Sequence, residues 1–320
     1  MIIIKKKIEN IIKIFKKINL TKLNLKFVIN EILFLNLSLE KLLFDKKNLK
    51  GNPVEVISIH LDNLLFKLNN INDFKDFDKK ITVKHSEFIR EKAHKEIFNS
   101  LWTRFTPAEY KKERIGRYLK RIKINKLKPI IKDKKIIDFG CGHGNFLLSC
   151  YYNGAKFCCG VDYGKDSIKY ANTIIKKLKI SNNRVKFKIK SVYKTGEKNE
   201  FFDFAIQNGV FHHLDNEFLA YKEVYRVLKP GGYMWLYTDG GGGIRDAVYD
   251  MSQKMLKKID KKFVINEIRS LGLTTNKEYH FGDGMNAEYR HTTYNKIIKK
   301  LSLIGFKNFK QLSGGFSTDF

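Results

Sequence analysis

Two patterns of apolar and polar positions divide the chain. From residue 134 onward, short apolar runs alternate with segments of helical periodicity, the arrangement that builds a doubly wound, mostly parallel α/β sheet with helices on both faces. The runs predict strands at 135–139, 157–162, 185–190, 202–207 and 233–238. Between them, "GNFLLSCYYNG", "GKDSIKYANTIIKKLKI" and "NEFLAYKEVYRVLKPGG" repeat their apolar residues as helices do, and the last stops on Pro-Gly-Gly.

Before residue 80 the pattern differs. "MIIIKKKIENIIKIFKKINL" places apolar residues at 4, 8, 11, 12, 15 and 18 with lysines mostly between them, as an amphipathic helix does. Residues 1–84 therefore read as a helical N-terminal extension. Its basic amphipathic helix suits packing against the rest of the protein, and it also suits peripheral contact with a membrane surface. Residues 85–128 form a second helical segment approaching the sheet, with Trp102, Phe105, Tyr110 and Tyr118 close to Arg104, Arg114 and Arg117. Such a segment can roof a pocket, or it can be a packing helix with a solvated basic face. Residues 129–320 are left for the sheet domain.

Composition changes this picture little. The 320 residues are 43% hydrophobic, enough for a packed core. No apolar run approaches the roughly 20 residues of a membrane span, and the N-terminus lacks the apolar core and cleavage site of a secretory signal. A cytoplasmic location is the expectation. Cys141, Cys150, Cys158 and Cys159 fall within twenty residues of one another without zinc-finger spacing and read as buried reduced thiols. The formal charge of +29 points towards nucleic acid or another polyanion, but 52 of the 62 basic residues are lysine. Phosphate and base readers lean on the planar fork of arginine, so a solvated lysine surface is favoured over a nucleic-acid partner.

The chemistry concentrates in "KKIIDFGCGHGNFLLSC", residues 134–150. A dinucleotide site wants G-x-G-x-x-G after the first strand. This chain has Gly140, Gly142 and Gly144, a G-x-G-x-G string preceded by Asp138. That string resembles the first motif of class I S-adenosylmethionine-dependent methyltransferases, and the resemblance extends over roughly residues 110–320. It implies a seven-stranded Rossmann-like methyltransferase sheet, with a last helix in "EYRHTTYNKIIKKLSLIGF", a sixth strand after it and a short final strand in "GGFSTDF". It also implies S-adenosyl-L-methionine as cofactor, held at its amino-acid end by Asp138, Gly140, Cys141 and Gly142. Asp162, 24 residues after Asp138, matches the acid that takes the ribose hydroxyls, and Tyr163 would flank the adenine. Where the family often carries an acid for the adenine amino group, this chain has Ser191 and Val192, a hydroxyl and a backbone N–H.

"FFDFAIQNGVFHHLDN" resembles the family's V-L-H-H-L segment, placing Asn208 along the methionine portion and His212 and His213 in the following loop. A neutral imidazole there can take a proton from an attacking hydroxyl, and His213 is the favoured base. No third ligand at metal spacing accompanies the pair. "VLKPGGYMWLYTDGGGGIRDAVYD" resembles the fifth strand with its preceding turn. Its second glycine run, Gly240 to Gly243, reads either as an anion seat with Arg245 or as a hinge for a lid inserted at 244–290, from which Tyr289, Arg290 and His291 lead into the last helix. The expected activity is methyl transfer to a small-molecule acceptor, anionic in one version, and at an oxygen. An RNA methyltransferase using the basic surface is the alternative enzyme, and a non-catalytic cofactor-binding adaptor is the alternative from another class.

Overall fold

The computed structural model describes residues 2–18, 21–44, 52–71, 108, 110–238, 240–273, 281 and 291–313. In chain order its elements begin with the helices α1 (Ile2–Phe15), α2 (Lys22–Phe44) and α3 (Pro53–Asn70). A π-helical turn at Tyr110–Ile115 runs into α4 (Gly116–Ile124), followed by α5 (Lys128–Ile131). Then come β1 (Lys135–Phe139), α6 (Asn145–Tyr152), β2 (Phe157–Asp162), α7 (Lys165–Lys177), β3 (Val185–Ile189) and β4 (Phe202–Asn208). A 3₁₀ turn at Phe211–His213 precedes α8 (Glu217–Val227), β5 (Leu228–Tyr237), α9 (Ile244–Leu256), α10 (Lys261–Ser270) and α11 (Tyr294–Ser302).

The chain divides into two compact units, one of residues 1–88 and 241–287, the other of residues 89–240 and 288–320. In the first unit, α1 turns Ile4, Ile8, Ile11 and Phe15 inward, so the apolar stripe legible in the sequence is covered by protein. It shares one core with Ile57, Leu61 and Leu64 of α3 and with Val248, Met251 and Met255 of α9. Polar contacts repeat the pairing: Lys7 Nζ donates to Ser58 Oγ at 2.6 Å, and Asn36 of α2 donates to Ser252 Oγ of α9 at 2.7 Å. The segment read from sequence as a lid thus contributes two helices to the core of the N-terminal helices. No helix among the described residues is long and apolar enough to cross a membrane.

The second unit is built on a five-stranded sheet in the order β3-β2-β1-β4-β5, every neighbouring pair parallel. One face is covered by α4, α6 and α7 through Ile122, Leu147, Leu148, Ile168 and Ile174. The other is covered by α8 and α11 through Tyr221, Val224, Val227, Ile297 and Leu301. The order reverses between β1 and β4, so the carboxyl ends of those strands open a crevice between them.

The expected seven strands are five among the described residues. After α11 the chain passes Gly305 and packs the half-buried Phe306 and Phe309 against the sheet's second face without joining a ladder. The two rings are three residues apart rather than two, and Asn308 between them takes φ 58°, which breaks the extended run that a sixth strand needs. "GGFSTDF" lies outside the described residues. Strand five begins earlier than expected: Leu228 pairs with Phe202 and Tyr233 with Phe204, so Lys-Pro-Gly-Gly forms a bulge inside the strand instead of a turn before it.

Ile11 is fully buried where α1 meets α3 and α9. Its replacement by alanine is expected to cost about 2–5 kcal/mol of that unit's stability, read as a lower denaturant midpoint in chemical unfolding.

Candidate functional site

β1 delivers Asp138 and β2 delivers Asp162 to the same edge of the sheet. The glycine turn between β1 and α6 is tied to the end of β2: the Gly140 and Cys141 N–H groups both donate to the Val161 carbonyl, at 2.8 and 3.0 Å. Asp162 closes the arrangement. Its Oδ2 accepts the Gly142 N–H at 2.8 Å and its Oδ1 the Gly164 N–H at 2.7 Å. The carboxylate therefore holds the glycine turn against the end of β2 and keeps further lone pairs for a diol.

Two glycines have different reasons to be glycine. At Gly144, φ is 80° and a Cβ would lie 2.3 Å from Cζ of Phe187, so this residue serves the close approach of α6 to the sheet. At Gly142, φ is 51° and a Cβ would meet nothing within 4 Å. Its missing side chain leaves the crevice clear for a ligand. Gly140 packs its α-carbon against Val210 of the loop after β4.

The electrostatics suit a cation. Asp138 is almost fully buried; burial first, and then the neighbouring Asp162, push its carboxyl well above the usual range. Burial also raises Asp162, opposed by the N–H groups of Gly164, Gly142 and Tyr163. An ammonium group beside Asp138 would replace the solvation that burial removes. The chemistry of S-adenosylmethionine, an ammonium at one end and a ribose diol at the other, thus fits Asp138, the open space at Gly142 and Asp162. Cys141 is buried in the same turn, its thiol pushed up by burial and then by Asp162. All four cysteines are reduced and buried.

Tyr163, expected to flank the adenine, is 62% exposed. Ser191 Oγ accepts the Tyr193 N–H at 3.2 Å, and Val192 is buried beside it. At the other end Asn208 finishes β4 and contacts Tyr118, Arg121 and Trp235. His212 and His213 are both buried with ring centroids 3.9 Å apart, and His212 Nδ1 lies 3.4 Å from Thr238 Oγ1. Their turn hangs on buried Gln207. With its amide oxygen facing the Val210 and Phe211 N–H groups at 2.9 and 2.8 Å, its nitrogen donates to the Tyr237 carbonyl at 3.1 Å.

The structure adds residues that sequence reading passed over. Arg121 is the one arginine or lysine among the described residues that is buried, its guanidinium 5.1 Å from the Tyr118 ring centroid and 5.0 Å from that of Tyr237. The available signal was a charge beside Ile122 on the apolar face of α4. His143, inside the glycine string, is lowered to about 4 by burial and by Arg114, and its carbonyl accepts the Tyr110 hydroxyl. Of the proposed roof residues, Tyr110 and Tyr118 pack on the sheet's first face, while Trp102, Arg104 and Phe105 lie outside the described residues. So do Tyr289 and Arg290. At the second glycine run the chain passes from one unit to the other between Gly240 and Gly241. The Gly243 N–H that would meet an anion already donates to Asp246 Oδ2 at 3.1 Å. Among the described residues no group of three or more His, Cys, Asp or Glu is placed to hold a metal ion.

Gly142→Ala is expected to fold, at a cost of about 1–2 kcal/mol for a side chain at that φ, and to weaken cofactor binding at least about tenfold, or 1.4 kcal/mol. Gly144→Ala is expected to lose about 1–3 kcal/mol of stability through overpacking against Phe187. Calorimetric titration and thermal unfolding of the two variants separate the effects. A pH series tests Asp138. Because its folded value is raised, the ligand-free protein loses stability as pH rises from the ordinary carboxylate range through that value. Cofactor affinity moves oppositely, weakening as pH falls and Asp138 takes up its proton, and Asp138→Asn is expected to flatten that dependence.

Residues 130–280 match the family model described as a methyltransferase domain. An uncharacterized methyltransferase of Schizosaccharomyces pombe is 30% identical over 113 residues, 34% of this chain and 41% of that protein. The mitochondrial ubiquinone biosynthesis O-methyltransferase of Rattus norvegicus is 30% identical over 105 residues, 32% of this chain and 30% of that protein. The chain thus spans well under half the length of these curated relatives. Among solved structures, a putative S-adenosylmethionine-dependent methyltransferase of Methanococcus maripaludis is similar at 18% identity and a TM-score of 0.42, covering 73% of this chain and 92% of that one. Residues 130–280 thus carry a methyltransferase domain, and S-adenosylmethionine is the cofactor that such a domain implies.

Proposed function

We propose that the protein transfers a methyl group from S-adenosylmethionine to an oxygen of a small-molecule acceptor, with His213 as the base. The observation that carries the reading is the pair of carboxylates, buried Asp138 and half-buried Asp162, at one strand edge beside the open position at Gly142. S-adenosylmethionine, when bound, supplies a methyl group on a cationic sulfur. The protein's part is to hold and align. Asp138 holds the ammonium end, Asp162 the ribose hydroxyls, and Tyr163, Ser191 and Val192 surround the adenine.

The histidine turn supports the choice of base. His212 faces the Thr238 hydroxyl, which gives it a structural task, while its neighbour His213 is held in the same turn by Gln207. A neutral imidazole at His213 takes the proton from an acceptor hydroxyl as the oxygen attacks. The relative named as an O-methyltransferase favours an oxygen acceptor, and the predominance of lysine over arginine favours a small acceptor over RNA.

His213→Ala is expected to lower kcat by about 10²- to 10⁴-fold while cofactor affinity stays at the wild-type value; His212→Ala is expected to affect stability more than kcat. Methyl transfer to metabolite pools, followed with labelled cofactor, checks both. Loss of activity with rising salt, steep enough to indicate several phosphate contacts, would contradict the small-acceptor reading in favour of RNA.

A further inference from the structure

The carboxamide of Asn208 ties α4 to the ends of β4 and β5 by hydrogen bonds, beside the packing of Arg121 against the Tyr237 ring. Its Oδ1 accepts from Trp235 Nε1 of β5 at 3.2 Å and from Arg121 Nη1 of α4 at 3.3 Å. Its Nδ2 donates to the Tyr118 hydroxyl of α4 at 3.1 Å. Indole and guanidinium nitrogens only donate, so the oxygen must face them and the nitrogen must face Tyr118. The amide has one orientation, and that orientation fixes α4 at the carboxyl edge of β4 and β5.

The segment fixed in this way also touches the glycine turn and the helix that follows it. The Tyr110 hydroxyl donates to the His143 carbonyl within the turn, and Ser149 Oγ of α6 donates to the Ile115 carbonyl at 3.0 Å. The Tyr118 ring stacks on Phe146, with centroids 4.7 Å apart and planes within 16°. Phe146 in turn meets Trp235 edge-on at 5.2 Å. Residues 110–115 wind as a π-helix, a rare form that concentrates at functional sites. From Tyr110 to Arg121 the chain therefore bridges the crevice, resting on the glycine turn and α6 on one side and on β4 and β5 on the other.

We propose that Asn208 is a positioning residue that clamps α4 to the strand edge and so sets how closely the cofactor's amino-acid end meets the glycine turn. The clamp itself stands on the contacts above; its effect on the ligand rests on the cofactor assignment. The two are separable by experiment. Hydrogen exchange is followed by mass spectrometry in the ligand-free full chain for the wild type, Asn208→Leu, Asn208→Asp and Trp235→Phe, and S-adenosylmethionine affinity is measured for each.

Asn208→Leu is expected to speed exchange of amides 116–124 at least tenfold while β1 and β2 keep their protection, and to raise the cofactor Kd at least tenfold. Trp235→Phe removes one donor and is expected to shift both readouts severalfold in the same direction. Asn208→Asp is expected to keep the protection, because the Tyr118 hydroxyl can turn and donate to a carboxylate. Unchanged exchange at 116–124 in Asn208→Leu overturns the clamp, and so does an acceleration spread through the whole sheet with an unchanged Kd. Should Asn208→Leu fail to fold, Trp235→Phe decides by the same two criteria. A wild type that binds no S-adenosylmethionine contradicts the cofactor assignment, and the exchange comparison still judges the clamp.

Discussion

Two carboxylates placed together at one strand edge, one buried and one half-buried, constrain everything around them. Burial and mutual repulsion raise Asp138, and burial raises Asp162, so the site costs folding energy near neutral pH unless something cationic or hydrogen-bonding offsets it. The fold supplies part of the offset from its own backbone, through the Gly142, Gly164 and Tyr163 N–H groups on Asp162. Asp138 is left for the ligand. Parallel strand order is what makes the arrangement possible, since β1 and β2 run side by side and end at the same edge.

The end of β4 divides the remaining work between adjacent residues on opposite faces. Gln207 points to the face of α8 and fixes the turn that carries His212 and His213. Asn208 points to the face of α4 and fixes the segment that touches the glycine turn. The alternation of side chains along a strand thus lets two consecutive amides anchor the histidine turn and α4 separately. Because groups that only donate face each amide oxygen, each amide has a single satisfied orientation.

The glycine turn and the two acids were legible in the sequence because their constraints are local. A strand end, a tight turn and a missing Cβ leave their mark within a few residues. The roles of Arg121 and Trp235 were not, because they depend on α4 and β5 meeting at Asn208 from positions 87 and 27 residues away. The same holds for the first unit. The amphipathic pattern of α1 shows which face is buried, but the Asn36–Ser252 contact between α2 and α9 spans 216 residues, and no local pattern announces it. The sheet was overestimated where family resemblance outweighed the residues themselves: Phe306 and Phe309 are spaced wrongly for a strand, and Asn308 turns the chain between them.

Asp138, Gly142 and Asp162 are proposed together as the seat for S-adenosylmethionine. The most direct measurement is calorimetric binding of S-adenosylmethionine to the wild type and to Asp162→Ala, with a nicotinamide dinucleotide as the competing adenosine ligand. Binding by the wild type, its loss in the variant and no comparable affinity for the dinucleotide are the expected result. A wild type that ignores S-adenosylmethionine or prefers the dinucleotide would contradict it.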